Sequence, residues 1–203
     1  MKNKKTLVLI VLLCITAGTW FSFYRQTNEN ISMPSVKEYS LGEWVPMEDD
    51  FYSDGENMNG YEVKVVKAEL LPLEEYLKNN AILLSTEEKK EFDAPEKVYD
   101  LTLRVKNTNK TQEEEVGMNF WPLSLQGKEL YLDTNDILYE KVNPKAKGEM
   151  QFALRPQTEM EFHLPFNVRK DWFSQKCWNN IEKYKWNFVL TTYPEKKVVR
   201  IQP

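Results

Sequence analysis

Val98-Tyr99-Asp100-Leu101-Thr102-Leu103-Arg104-Val105-Lys106 alternates apolar and polar side chains with a period of two. Successive side chains of a strand point to opposite faces. Tyr99, Leu101, Leu103 and Val105 therefore share one face, and Asp100, Thr102, Arg104 and Lys106 share the other. The stretch is predicted to be a strand buried on one side. The same period recurs in Glu149–Leu154, with Met150, Phe152 and Leu154 inward, and in Glu159–Leu164, with Met160, Phe162 and Leu164 inward. Arg155-Pro156-Gln157-Thr158 between them reads as a hairpin connection.

Further strands follow from the same signal. Tyr61, Val63 and Val65 alternate after the turn dipeptide Asn59-Gly60. Trp186, Phe188 and Leu190 alternate before Tyr193-Pro194-Glu195, and Val198–Ile201 closes the chain. Tyr39–Val45, Val116–Trp121 and Leu130–Leu132 are weaker candidates. Many short strands joined by turn signals predict an all-β antiparallel sandwich or barrel. Long helices do not alternate with the strands, which argues against a parallel α/β sheet.

Short helices interrupt the pattern. Pro72 opens one, with Leu73, Tyr76 and Leu77 at helical spacing. Ser85 and Glu88 have the spacing of a capping box for a second, reaching Phe92. Phe173, Cys177, Ile181 and Tyr184 fall on one face of a helix predicted over Lys170–Tyr184.

The N-terminus reads differently. Thr6–Tyr24 is a run of 19 residues without a charged side chain. As a helix it spans roughly 28 Å, close to the hydrocarbon thickness of a bilayer. Lys2, Lys4 and Lys5 precede it and Arg25 follows, so the positive-inside rule places the start of the chain in the cytoplasm. Trp20, Phe21, Phe23 and Tyr24 suit the outer interface. Residues 1–25 are expected to be a signal anchor, 26–37 a juxtamembrane linker and 38–203 an extracytoplasmic domain. Thr16-Ala17-Gly18 offers a peptidase site, and Cys14 a lipidation site, although Leu13 is large for the position before a lipidated cysteine. Each version puts the body outside the cytoplasm.

Four of the 27 basic residues stand in 1–25, leaving 23 against 31 acids in the body, a net charge of −8. That balance argues against nucleic acid as a partner. Cys177 is alone in the body, so no disulfide forms within it.

Chemistry is sparse. His163 is the sole histidine and falls on the polar face of its strand, where a solvated side chain is the commoner reading. No G-x-S-x-G elbow, H-E-x-x-H pair or glycine-rich phosphate loop occurs. No catalytic residue, metal site or cofactor is expected. Glu48-Asp49-Asp50, with Asp54 and Glu56, is the nearest approach to a calcium loop, but its spacing is not that of an EF-hand and a charged turn is the commoner reading. Trp172 and Trp178, in the 170–184 segment, are candidate ligand-binding residues, because aromatic faces stack on sugars and peptides. Trp121 and Trp186 could join such a platform, although Trp186 alternates with Phe188 and reads as core.

Asn57-Met58-Asn59-Gly60-Tyr61-Glu62-Val63, continuing through Ala68-Glu69-Leu70-Leu71 to Glu75-Tyr76-Leu77, resembles an uncharacterised family of Gram-positive bacterial membrane-anchored proteins. Leu101–Thr108 and Phe162-His163-Leu164-Pro165-Phe166 are similar to strands of Ig-like extracytoplasmic domains of unknown function. The resemblance covers roughly residues 40–203. It implies an Ig-like sandwich outside the cytoplasm and brings no catalytic residues. The expected function is a non-catalytic anchored module that binds an envelope protein or peptide as an accessory subunit. The alternatives are a small-ligand or carbohydrate sensor using exposed aromatics, and a small hydrolase.

Overall fold

The computed structural model describes residues 2–28, 34–112, 115–128 and 130–201. They fall into two units, Met1–Pro34 and Ser35–Pro203. The first holds one helix, α1 (Lys2–Asn28). In the second the strands are β1 (Ser35–Ser40), β2 (Val45–Pro46), β3 (Tyr61–Pro72), β4 (Lys97–Asn107), β5 (Met118–Asn119), β6 (Ser124–Gln126), β7 (Tyr131–Leu132), β8 (Gln151–Phe152), β9 (Thr158–Val168), β10 (Trp186–Val189) and β11 (Glu195–Ile201). Its helices are α2 (Leu73–Asn79), α3 (Glu88–Glu91), α4 (Asp136–Val142) and α5 (Gln175–Trp178).

The strands form a β-sandwich. One sheet has the order β1-β11-β10-β6-β7 and the other β2-β3-β4-β9, with β5 and β8 as a separate pair. Leu101, Leu103 and Val105 of β4 join Phe162, Leu164 and Phe166 of β9 in one continuous core with Leu125, Trp186, Phe188, Val199 and Ile201 of the other sheet. The alternation of β4 is thus the inner face of its sheet. Its other face is covered at one end. Val98 packs with Tyr76 of α2, Leu138 of α4 and Ile82 in a second small cluster. That cover also buries Asp100, which the period placed on the polar side.

Local signals account for several elements. α2 starts directly after Pro72, and Tyr76 is its buried residue. Ser85 Oγ accepts from Glu88 N at 3.1 Å while Glu88 Oε2 accepts from Ser85 N at 2.7 Å, closing the capping box before α3. Gly60 has φ +78°, and a Cβ there would lie 2.0 Å from Asn109 Oδ1, so the turn into β3 requires glycine.

Four expectations are corrected. The β8 and β9 segments are not a hairpin. Their turn does form, with Thr158 N donating to Arg155 O at 3.3 Å. Yet β8 pairs with β5, and β9 with β4. Leu154 finds side-chain partners in place of a facing strand. Its N–H donates to the Tyr61 hydroxyl at 2.9 Å, and its carbonyl accepts from Asn107 Nδ2 at 2.8 Å.

The sheets are antiparallel with one exception. β1 runs parallel to β11, from Ser35↔Glu195 to Ser40↔Arg200. β1 begins inside the stretch read as linker, and α1 extends three residues beyond Arg25. Apart from half-buried Tyr39, the side chains of β1 are exposed, so backbone pairing rather than burial makes it a strand. The rest of the linker, residues 29–33, lies outside the described residues.

Lys170–Tyr184 is not one helix. It consists of two 3₁₀ turns, Lys170–Trp172 and Ile181–Lys183, flanking α5. Phe173 is extended and Ser174 recaps the chain, accepting from Cys177 N. The break lets Phe173 and Tyr184 reach Trp186, at ring-centroid distances of 6.4 and 4.7 Å. Aromatic packing overrides the helical spacing here.

In α1 the described side chains are exposed, Val8, Leu12, Ile15, Phe21 and Phe23 among them. Thr16 and Thr19 hydroxyls donate to the carbonyls of Leu12 and Ile15. No helix among the described residues is long and apolar enough to cross a membrane. The side chains of residues 1–5, 7 and 9 lie outside that description, and the anchor expectation draws on Leu7 and Leu9 among them.

Candidate functional site: an aromatic face beside β7

β7 is the outer strand of the five-stranded sheet, paired with β6 through Leu125↔Leu132 and Gln126↔Tyr131. Leu132 is buried in the core, so the period of two turns Tyr131 outward. Tyr131 is 63% exposed. Two more large rings stand in the open, Trp121 at 61% and Trp172 at 44%. Tyr131 and Asp133 belong to two open hollows at once. Leu130 and Trp172 complete one of about 350 Å³. Tyr52, Trp121, Pro122, Ser124 and Gln126 complete the other, of about 320 Å³. Tyr131 and Asp133 are thus the elements common to a hollow bearing Trp172 and a hollow bearing Trp121.

The charge on this face is acidic near its middle. Burial raises Asp133 above the ordinary carboxylate range, and burial followed by repulsion from Asp133 raises Asp136. Asp136 therefore lies close enough to Asp133 for the Asp133 charge to oppose its ionisation. Arg169 lies over the Trp172 ring at 5.9 Å and is itself paired with Asp93 and Asp171. At the β6 side Lys196 Nζ donates to Gln126 Oε1 at 3.3 Å.

Of the two tryptophans singled out from sequence, only Trp172 lines this face. Trp178 is half-buried against the core, its ring 6.1 Å from Phe173 and under Lys97 Nζ at 5.9 Å. It is not among the residues lining the hollow at Trp172. Sequence reading missed Tyr131 and Asp133 as site residues. The alternation Leu130-Tyr131-Leu132 was the one signal available.

In the Glu48-Asp49-Asp50 run, Glu48 and Asp49 stand exposed in a turn, as expected, but Asp50 is buried and the run is not an open cation loop. Lys197 of β11 is fully buried and fills it. Its ammonium contacts Asp50 Oδ2 at 2.6 Å and Glu48 Oε2 at 2.7 Å, and donates to the Pro46 and Met47 carbonyls at 2.6 and 3.2 Å. Burial pulls the lysine pKa down, but hydrogen bonds to Asp50 and Glu48 outweigh it and leave it raised. Asp50 Oδ1 also accepts from Glu195 N at 2.9 Å. The run is a clamp between the β2–β3 connection and β11. Among the described residues no group of three or more His, Cys, Asp or Glu side chains is placed to hold a metal ion.

His163 is half-buried rather than solvated. Its Nδ1 lies 2.7 Å from Asp100 Oδ2, and Tyr76 donates to Asp100 Oδ1 at 3.3 Å. That bond to Asp100 raises the imidazole pKa against the opposing effect of burial. Asn143 serves the backbone of His163 like a missing strand, accepting its N–H at 2.8 Å and donating to its carbonyl at 2.7 Å. The hydrogen bonds found for the ring among the described residues include no serine or cysteine.

A larger hollow, about 640 Å³, lies between the segments at 53–57, 115–119 and 151–153. Of its carboxylates Asp54, Glu56 and Glu115, Glu56 is committed to the fold, accepting from Tyr52 N, Ser53 N and Asn119 Nδ2 at 2.8–3.0 Å. Gln112 and Glu115 of its lining flank, in the sequence, residues 113–114, which lie outside the described residues.

Residues 36–197 match the family model DUF5028, a domain of unknown function. The chain belongs to that family. A crystal structure of an uncharacterised β-sandwich protein from Clostridium difficile 630 aligns over 85% of this chain and 99% of its own, with 11% identity and a TM-score of 0.43. A conserved hypothetical protein from Bacillus anthracis aligns over 77% of this chain and 95% of its own, with 11% identity and a TM-score of 0.37. No curated protein matches the sequence.

Proposed function

We propose that this DUF5028 protein is a non-catalytic extracytoplasmic module, anchored by α1, that binds an envelope protein or peptide through Trp121, Tyr131 and Trp172. One observation carries the binding reading. Three large rings stand exposed around two hollows that share Tyr131 and Asp133. A soluble domain gains by covering such rings, and tyrosine and tryptophan are the residues that dominate binding hot spots. The anchor reading rests on the 19 uncharged residues and their basic flanks. A helix apolar on all sides finds a favourable solvent in lipid. The Ig-like reading draws on the strand order. β3-β4-β9 faces a sheet in which β7, β6, β10 and β11 are neighbours, and β1 adds in parallel to the last strand. That is the arrangement of two packed sheets with the final strands paired together.

A carbohydrate ligand is the second reading, favoured by the open aromatic faces and the Asp133 acceptor between them. The test is crosslinking of the full-length chain in its native membrane, wild type against W121A/W172A, with mass spectrometry of the adducts. One dominant envelope protein, lost in the variant, is the expected result. Adducts unchanged in the variant would remove the face from the proposal. No protein adduct, with W121A/W172A-sensitive binding of chitohexaose, would transfer it to the carbohydrate reading.

A further inference from the structure

The aromatic face has a charge as well as a shape, and together they narrow the partner. We propose that the segment docking between Trp121 and Trp172 is cationic, presenting an arginine or lysine side chain to Asp133. This inference rests on the binding face proposed above.

Asp133 lines both hollows, so a ligand in either one meets its carboxylate. Asp136, at the start of α4, lies within reach of the Asp133 charge and adds a second acid to this end of the face. No hydrogen-bond donor to either carboxylate is found among the described residues. Two like charges beside exposed rings are best relieved by a cation that can also lie on an aromatic face. Guanidinium does both. It pairs with carboxylates through two parallel N–H groups and stacks on rings with little loss of hydration. The face already shows this contact, since Arg169 lies over the Trp172 ring at 5.9 Å. Arg169 is engaged by Asp93 and Asp171, so its charge does not neutralise Asp133. Gln126 of the second hollow already accepts from a cation of this chain, Lys196. The cationic group of the partner therefore belongs at the Tyr131–Asp133 ridge and on the Trp172 side. The net charge of −8 on residues 26–203 would steer such a segment inward.

The test uses the full chain in phosphatidylcholine nanodiscs and fluorescently labelled hexa-arginine, hexalysine and hexaglutamate peptides, read by anisotropy at low and physiological salt. Hexa-arginine is expected to bind more tightly than hexalysine, and hexaglutamate not at all. D133N should weaken hexa-arginine about fivefold at low salt, the size of a good exposed ion pair. E74Q, which removes one exposed charge from α2, should change it less than about twofold. Equal weakening by D133N and E74Q would overturn the proposal, since attraction would then be to net charge alone. So would hexaglutamate binding as tightly as hexa-arginine. If W121A/W172A abolishes the membrane crosslink while hexa-arginine binding ignores D133N, the face survives and its cationic ligand does not. If neither measurement responds to W121A/W172A, the face itself falls.

Discussion

At the scale of single residues, two basic side chains paired with buried carboxylates carry the sharpest expectations. Lys197 is enclosed by Asp50, Glu48 and two carbonyls. K197M keeps most of the stem volume but leaves Asp50, only 10% exposed, without its cation. Removing one partner of a buried pair costs about 3–5 kcal/mol. A loss of that order is expected in chemical denaturation, and D50N/K197M should recover part of it. A loss below about 1 kcal/mol would mean that the clamp is not closed. His163 titrates on the same logic. The Asp100 bond raises its pKa in the folded state. Its stabilising effect is therefore complete below the unfolded value of about 6.5 and fades as pH rises through the folded value. The stability gap between wild type and H163Q should shrink between acid and alkaline pH. As the chain has one histidine, a single imidazole NMR signal reports the same pKa. A midpoint at or below the ordinary value would contradict the pairing. Neither charge was legible. The acids at 48–50 lie almost 150 residues from Lys197, and nothing in a local pattern joins them. His163 sat where its period put it, but the α2 cover that makes its partner Asp100 a buried carboxylate comes from elsewhere in the chain.

At the scale of elements, legibility followed burial on one face. β4 and β9 read clearly because their alternation is the inner face of one sheet. β1 could not be read that way, since its side chains other than Tyr39 face water, and what holds it is backbone pairing with β11 and the polar contacts of Ser35, Lys37 and Glu38 with Glu195 and Arg200. The apparent hairpin at 149–164 failed because Tyr61 and Asn107 satisfy Leu154 from across the fold. Two substitutions probe these joints. Y76F removes the hydroxyl that α2 donates to buried Asp100, and should cost about 1–2 kcal/mol by urea unfolding. G117A places a Cβ 2.7 Å from the Phe152 carbonyl, a backbone neighbour that cannot step aside. It should cost about 1–3 kcal/mol, as overpacking does, by parting β5 from β8. A neutral G117A would show that the β5–β8 pair gives way freely.

At the scale of the whole molecule, the aromatic face was half legible. Trp172 was visible as a tryptophan in an ambiguous segment. Its meeting with Tyr131, Asp133 and Trp121 depends on how the β6–β7 hairpin and the 170–172 turn fold together, which no local period encodes. The orientation in the membrane has its own check. Cys177 is half-exposed on the body and Cys14 lies in α1. In intact cells carrying C14S, a membrane-impermeant maleimide should label Cys177. Labelling only after lysis would place the body on the cytoplasmic side.

The most direct measurement replaces Tyr131 with p-benzoylphenylalanine in the native membrane, and Leu83, 88% exposed, as a control. The account predicts one dominant adduct from position 131 that disappears with W121A/W172A, and none from position 83. The same adducts from both positions, or adducts from 131 indifferent to the two tryptophans, would contradict it.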